Sequence, residues 1–155
     1  KALAEIIENG ETQVREPVYA QEGLSRKTND IGYTYIEIDL TAQRMVFYKK
    51  GTPIADAPVV SGNPYVPNCA TPTGCYTVGE TKSGYTVNGE DYPSAVNYWI
   101  PFDGNLGIND APWRGSFGEQ LYEFEGTHGS ICAPTDQVQI IYSNVEKNTP
   151  VVIYE

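Results

Sequence analysis

Hydrophobic and polar residues alternate with a period of two in several short segments of this chain. Residues 33–40 carry an aliphatic side chain at nearly every second position, with tyrosines and carboxylates between them. This pattern is typical of a half-buried β-strand. Two further strands are predicted at residues 43–49 and 54–61, separated by the turn Lys50-Gly51. Three consecutive strands with short connections predict an antiparallel meander.

The later part of the chain predicts more strands and one helix. At residues 135–145 apolar positions recur at steps of three and four after Pro134, which predicts an amphipathic helix. Residues 82–91 are polar and interrupted by glycine, which predicts a hairpin, whereas residues 106–110 lead into an irregular stretch. Further strands are predicted at residues 75–80, 95–102 and 149–154. The predicted fold class is mainly β, a β-sandwich or open barrel with one short helix.

A change in composition near residue 30 divides the chain. Before it, residues 2–8 predict a short helix, residues 12–20 look extended, and residues 21–30 are polar. We therefore expect residues 1–30 to be a linker or the tail of an upstream domain, and residues 31–155 to form the main domain. The chain starts at Lys without Met, so we expect any export signal or membrane anchor to lie upstream in a longer protein.

Charge and composition exclude several classes of function. Twenty acidic against ten basic residues give a net charge of −10, which argues against nucleic acid as a partner and favours cationic or amine-bearing ligands. No apolar run approaches the roughly 18 residues of a membrane-spanning helix. One histidine and three scattered cysteines lack metal-ligand spacing, so neither a metal nor another cofactor is expected.

The chemically most suggestive stretch is Gly126–Pro134. It contains His128, the only histidine, together with Thr127, Ser130 and Cys132. A histidine, a hydroxyl and a thiol within a few residues are the components of a nucleophilic site. The glycines and the proline mark a tight, positioned loop ahead of the predicted helix.

From about Tyr33 to Tyr154 the sequence resembles the catalytic domain of bacterial L,D-transpeptidases, the YkuD-like family. The family signature is a His, then 17 residues, then Ser/Thr-His-Gly-Cys, with Asn two residues after the Cys. Residues 15–19 are similar to the segment that precedes this domain in relatives with an upstream peptidoglycan-binding-type domain. Further matching segments follow in the expected order at residues 35–39, 43–48, 59–63, 71–74, 98–102 and 107–111 and at Trp113.

The resemblance breaks down at the reactive positions. Asn109 stands where the family has its upstream His, with the 17-residue spacing to Thr127 intact, and Ser130 stands where it has the nucleophilic Cys. Cys132 occupies the place of the Asn, whereas Thr127, His128 and Gly129 match. A serine hydroxyl needs a general base that an asparagine amide cannot supply, so we expect the standard mechanism to be lost. An engineered Cys→Ser change would account for Ser130 alone, whereas three departures indicate drift after loss of activity.

The resemblance implies a bacterial protein exported to the cell wall, where the family's Cys attacks a peptidoglycan tetrapeptide stem, releases D-Ala and passes the acyl group to an amine. Because the reactive groups differ here, enzymatic activity is left open. The leading hypothesis is an impaired domain that binds peptidoglycan stem peptides or another cell-wall enzyme, and that touches a membrane only through an upstream anchor. A substrate groove is expected at Gly129, Trp113, Arg114 and Tyr122, with Asp110 beside it.

The alternative is an active L,D-transpeptidase with a relocated nucleophile. Either Cys132 would attack, or Ser130 would be activated by His128, whose other expected role is structural. Cys132 is also a candidate for a disulfide with Cys69, or for a small buried side chain. Cys75, inside a predicted strand, is expected to face the core.

Overall fold

The computed structural model describes residues 29–88 and 93–155. The expectations for residues 2–8, 12–20 and 15–19 lie outside the described residues. Within the described part, no helix is long and apolar enough to cross a bilayer.

The first sheet has five strands in the order β3-β2-β1-β9-β4. The three predicted N-terminal strands pair antiparallel, as expected for a meander, and β9 pairs parallel with β1. Ile36 and Ile38 are fully buried, which confirms the predicted aliphatic face. The strands are β1 (Tyr35–Asp39), β2 (Arg44–Lys49), β3 (Thr52–Pro58), β4 (Gly74–Thr77) and β9 (Pro150–Tyr154).

The second sheet has four strands in the order β5-β6-β7-β8, with β7 and β8 parallel. The hairpin expected within residues 82–91 is wrong, because residues 82–88 form a single strand, one arm of an antiparallel pair with β6. Residues 106–110 form a regular strand that leads, as expected, into an irregular stretch at residues 111–120. The strands are β5 (Lys82–Asn88), β6 (Pro93–Asp103), β7 (Leu106–Asp110) and β8 (Ile131–Ala133).

Two helices lie in the last third of the chain. The predicted helix is confirmed as α2 (Thr135–Asn144), whose Val138 and Ile141 are fully buried. Helix α1 (Leu121–Glu125) was not predicted, because five residues are too few to show a helical period.

One hydrophobic core contains side chains of both sheets and of α2. The fold class is mainly β with a short helix after the motif loop, which confirms the prediction. The apolar faces of β1, β2, β6, β7 and β9 meet there, and in β1 and β9 buried and more exposed side chains alternate. The largest fully buried members are Phe47, Met45 and the isoleucines at positions 36, 38, 100, 108, 131, 141 and 153.

Candidate active site

The parallel pairing of β7 with β8 brings two residues of the motif together. Asn109 and Cys132 are direct register partners, although 23 positions separate them along the chain. The side-chain amide of Asn109 donates to the Asp110 carbonyl at 2.9 Å and lies 3.4 Å from Cys132 Sγ. Both side chains are buried. The Asn109 amide therefore donates to a carbonyl oxygen and to a sulfur. An amide cannot take up a proton, so this residue cannot act as a general base.

The loop Thr127–Ser130 holds itself in a tight turn. Thr127 Oγ1 donates to the Ser130 carbonyl and accepts from the Gly129 N–H at 3.1 Å. Gly129 has a φ of +103°, which favours glycine, and a Cβ there would lie 3.0 Å from a methyl of Leu106. The family-like Thr-His-Gly sequence thus serves the geometry of the turn.

A second loop braces this turn from outside. Thr71 Oγ1 accepts from the Gly62 N–H at 2.8 Å and donates to the Gly129 carbonyl at 2.9 Å. A Cβ on Gly62 would meet the Cys69 carbonyl oxygen at 1.9 Å, so only glycine fits this crossing. The sequence signal for this brace was present in the Thr-Pro-Thr-Gly match at residues 71–74, but its role was not recognised.

Ser130 is half-buried, and its Oγ accepts a hydrogen bond of 3.3 Å from the Gly107 N–H at the start of β7. A larger residue does not fit at Gly107, because its Cβ would lie 2.8 Å from the Trp99 ring. His128, two residues earlier, is exposed on the loop. The Ser130 hydroxyl is therefore positioned by a backbone N–H donor, which cannot accept its proton as a general base would.

The Cys132 thiol is buried in a small cluster with Val60 and Ala111. Burial raises the pKa of this thiol, and the charge of Arg114 and the hydrogen bond from Asn109 lower it only in part. Cys69 and Cys132 are both free thiols, so of the two structural roles left open for Cys132 the small buried side chain is the one observed, and the disulfide with Cys69 is not formed. Cys75 is exposed rather than facing the core, because β4 is an edge strand whose outward positions meet solvent.

Arg114 connects this cluster to helix α1. Its guanidinium donates to the Glu125 carbonyl and forms an ion pair of 3.6 Å with the Glu125 carboxylate. Its Nε is buried and has no hydrogen-bond acceptor among the residues that the structure describes. Arg114 is thus tied to the last residue of α1, and it lies close enough to Cys132 to lower the pKa of that thiol.

The expected groove residues differ in their exposure. Trp113 is half exposed and Gly129 is buried inside its turn, whereas Tyr122 packs against the Cys132 cluster and also lines a cavity with Gly62 and Thr71. Asp110 is fully buried and therefore does not line the groove.

The Asp110 carboxylate instead anchors the fold. It accepts from the Asn97 and Tyr98 N–H groups at 2.8 and 3.0 Å, from the Asn97 side-chain amide at 2.6 Å, and from Thr135 Oγ1 at 3.2 Å. These four donors come from β6 and from the first turn of α2, so one carboxylate ties β7 to both elements. Residues 29–88 and 93–155 contain no group of His, Cys, Asp and Glu that could hold a metal ion.

A family model of the L,D-transpeptidase catalytic domain (YkuD) matches residues 33–153. The chain therefore belongs to the L,D-transpeptidase catalytic-domain family. A comparison with curated proteins finds no match.

Solved structures agree with this assignment. A cysteine-to-serine mutant of the Enterococcus faecium L,D-transpeptidase is 36% identical, with 99% of this chain and 62% of that chain covered at a TM-score of 0.78. The Ldtfm–avibactam carbamoyl enzyme is 37% identical, with 81% and 50% covered and a TM-score of 0.76. The E. faecium catalytic domain acylated by ertapenem is 37% identical, with 79% and 98% covered and a TM-score of 0.70. The chain thus spans half to about three fifths of the first two proteins.

Proposed function

We propose that this domain binds peptidoglycan stem peptides in the cell wall of a bacterium, outside the cell, without transferring their acyl groups. One observation carries the proposal. The two positions that the family signature assigns to nucleophile and base hold Ser130, hydrogen-bonded to a backbone N–H, and Asn109, whose amide is occupied by Asp110 and Cys132.

The chemistry of these groups explains the expected loss. A cysteine ionises readily enough to attack as a thiolate, whereas a serine hydroxyl needs a base beside it. General-base assistance contributes about 10²–10⁴-fold in rate. The relative acylated by ertapenem shows that a family member reacts covalently; Ser130 and Asn109 supply neither the ionised nucleophile nor the base for such a step.

Binding is a separate property from turnover. The braced loop is intact, and Trp113 presents a half-exposed indole next to Arg114 on the segment between β7 and α1. Large aromatic side chains are frequent anchors in recognition surfaces. The same surface is suited to a protein partner. Because the family acts in the cell wall, we expect such a partner to be another cell-wall enzyme.

The test has two arms. In the first, the purified chain is incubated with a tetrapeptide stem and an amine acceptor, and we expect no release of D-Ala. In the second, retention on purified sacculi at low salt is measured, and we expect binding that Trp113→Ala weakens by about fivefold or more. Phe124→Ala, which removes an exposed aromatic ring from α1, is the matched control and should bind normally. Absence of retention would refute the binding role.

A second candidate function is catalysis by Cys132. It is favoured by the Asn109 amide and the Arg114 charge, both of which stabilise a thiolate at this position. Burial acts in the opposite direction and dominates, since the pKa of the thiol is raised overall. Release of D-Ala that disappears in Cys132→Ala would establish this alternative. Release that disappears only in Ser130→Ala or His128→Ala would establish the Ser130–His128 pair instead.

A further inference from the structure

A cavity of about 290 Å³ adjoins the turn Thr127–Ser130, since the Thr127 N–H donates to the carbonyl of Ser61, one of its lining residues, at 2.9 Å. Ser61 and Gly62, which follow β3, form one side, and Tyr122 of α1 forms another. Asn109, Ser130 and Cys132 are not among the residues that line it. Its volume is at the lower limit for small-molecule pockets, which suits one side chain better than an extended ligand.

The back wall of the cavity is a fixed polar network. Gln43, which is fully buried, donates through Nε2 to the Leu40 carbonyl at 2.7 Å and to Ser61 Oγ at 2.8 Å, and its Oε1 accepts from the Ser61 N–H at 3.0 Å. Both N–H donors of the Gln43 amide are therefore engaged within the protein. Ser61 is 3% exposed, and because its Oγ already accepts from Gln43, its own O–H proton is the donor that this wall presents.

The charges around the cavity are negative. Glu155 lines it, and none of the described residues that line it is Lys, Arg or His. Burial raises the pKa of the Tyr122 phenol, and the charges of Glu123 and Glu155 raise it further. The phenol therefore stays neutral, and a cation that enters gains from the carboxylate without meeting a competing positive charge.

We propose that this cavity binds the ammonium-bearing side chain of a basic residue in a peptide. The ammonium group would donate to the Glu155 carboxylate and the Tyr122 oxygen, and a peptide carbonyl would accept the Ser61 O–H. The cavity lies beside the Thr71–Gly62 brace, whose hydrogen bonds continue to the Gly129 carbonyl. The proposal does not depend on the stem-peptide role, because Asn109, Ser130, Cys132 and Trp113 do not line this cavity.

The experiment uses Nα-acetyl-lysinamide as the probe and Nα-acetyl-norleucinamide, which has a similar aliphatic arm without the ammonium, as the matched control. Titration of the ¹⁵N-labelled chain is followed by amide chemical shifts. We expect saturable shifts at Ser61, Thr71 and Tyr122 with the lysine compound, weaker at high salt, and no saturable shifts with the norleucine compound.

Two variants locate the site. Glu155→Gln should weaken binding about three- to fivefold, the range of a partly exposed ion pair. Glu146→Gln changes the net charge equally at an exposed position that does not line the cavity, and should bind as the parent does. Ala70→Leu, at the exposed rim, should block entry. Equal binding of the norleucine compound, or equal loss in both glutamate variants, would overturn the proposal, whatever the sacculus assay shows.

Discussion

Asn109 Nδ2 lies 3.4 Å from Cys132 Sγ, and the two residues face each other across the parallel pair β7–β8. These are two of the three positions at which the chain departs from the family signature. In a chain with the full family signature, the histidine at position 109 and the asparagine at position 132 would be the same pair of register partners. The two departures are therefore in direct contact, and a change at one alters the packing and hydrogen bonding of the other.

This contact predicts energetic coupling between the two side chains. In a double-mutant cycle of Asn109→Ala and Cys132→Ala, we expect a coupling free energy of about 0.5–1.5 kcal/mol, typical of neighbouring buried groups that share a hydrogen bond. The measurement is urea unfolding of the four proteins. A cycle of Asn109→Ala with Cys75→Ala serves as the control, because Cys75 is exposed on the other sheet. Equal coupling in both cycles would disprove the specific contact.

The exposure of the three thiols predicts an order of labelling. Cys75 is exposed, whereas Cys69 and Cys132 are buried, and burial raises the pKa of the Cys132 thiol. We expect a brief pulse of iodoacetamide at neutral pH to modify Cys75 first and Cys132 much more slowly, because the thiolate is the reactive form. Peptide mass spectrometry reports each site. Labelling of Cys132 as fast as Cys75 would mean that it is an accessible, activated thiol.

The raised pKa of Cys132 also predicts how stability depends on pH. The unfolded chain loses this proton near its ordinary value of 9.0, whereas the folded protein keeps it to higher pH. The contribution is therefore fully present below about pH 9 and is lost as the pH rises towards the folded-state pKa. Between pH 9 and 10 the parent should lose stability faster than Cys132→Ala, as measured by urea unfolding. Parallel pH profiles of the two proteins would contradict a buried, neutral thiol.

The Asp110 carboxylate predicts a strong structural effect. Its four donors come from Asn97, Tyr98 and Thr135, so Asp110→Asn would place an N–H₂ group against groups that donate. We expect a loss of about 2–4 kcal/mol in the free energy of unfolding, as for other buried charged hydrogen-bond networks. Asp56→Asn, which removes an exposed ion pair with Arg44, is the control and should cost at most about 1 kcal/mol. Similar losses in both variants would refute the anchoring role.

Local sequence patterns predicted the elements that are long enough to show a period and that bury one face. Strand β1 and helix α2 are of this kind, since their buried positions repeat at steps of two and of three to four. The strand β8 has only three residues, and all are buried, so no alternation reveals it. Its pairing with β7 is a long-range contact that spacing along the chain does not show.

The site was also predictable only where a local sequence pattern identifies its residues. The positions Asn109, Thr127 and Ser130 follow from the spacing of the family signature, and the structure places them on β7 and the adjoining loop. The choice between a disulfide with Cys69 and a small buried side chain stayed open for Cys132, because thiol pairing depends on three-dimensional approach, which composition does not give. The role of Asp110 was missed because a carboxylate next to a site looks functional until its four donors are known.

The most direct test of the central claim is intact-mass spectrometry after incubation with ertapenem, which acylates a relative of this chain. The parent should show no adduct, because Ser130 and Asn109 provide neither thiolate nor base. Since positions 109 and 132 are in contact, the matched variant restores the whole signature as Asn109→His, Ser130→Cys and Cys132→Asn, and it should gain one adduct. A stoichiometric adduct on the parent chain, mapped to Ser130 or Cys132, would contradict the account.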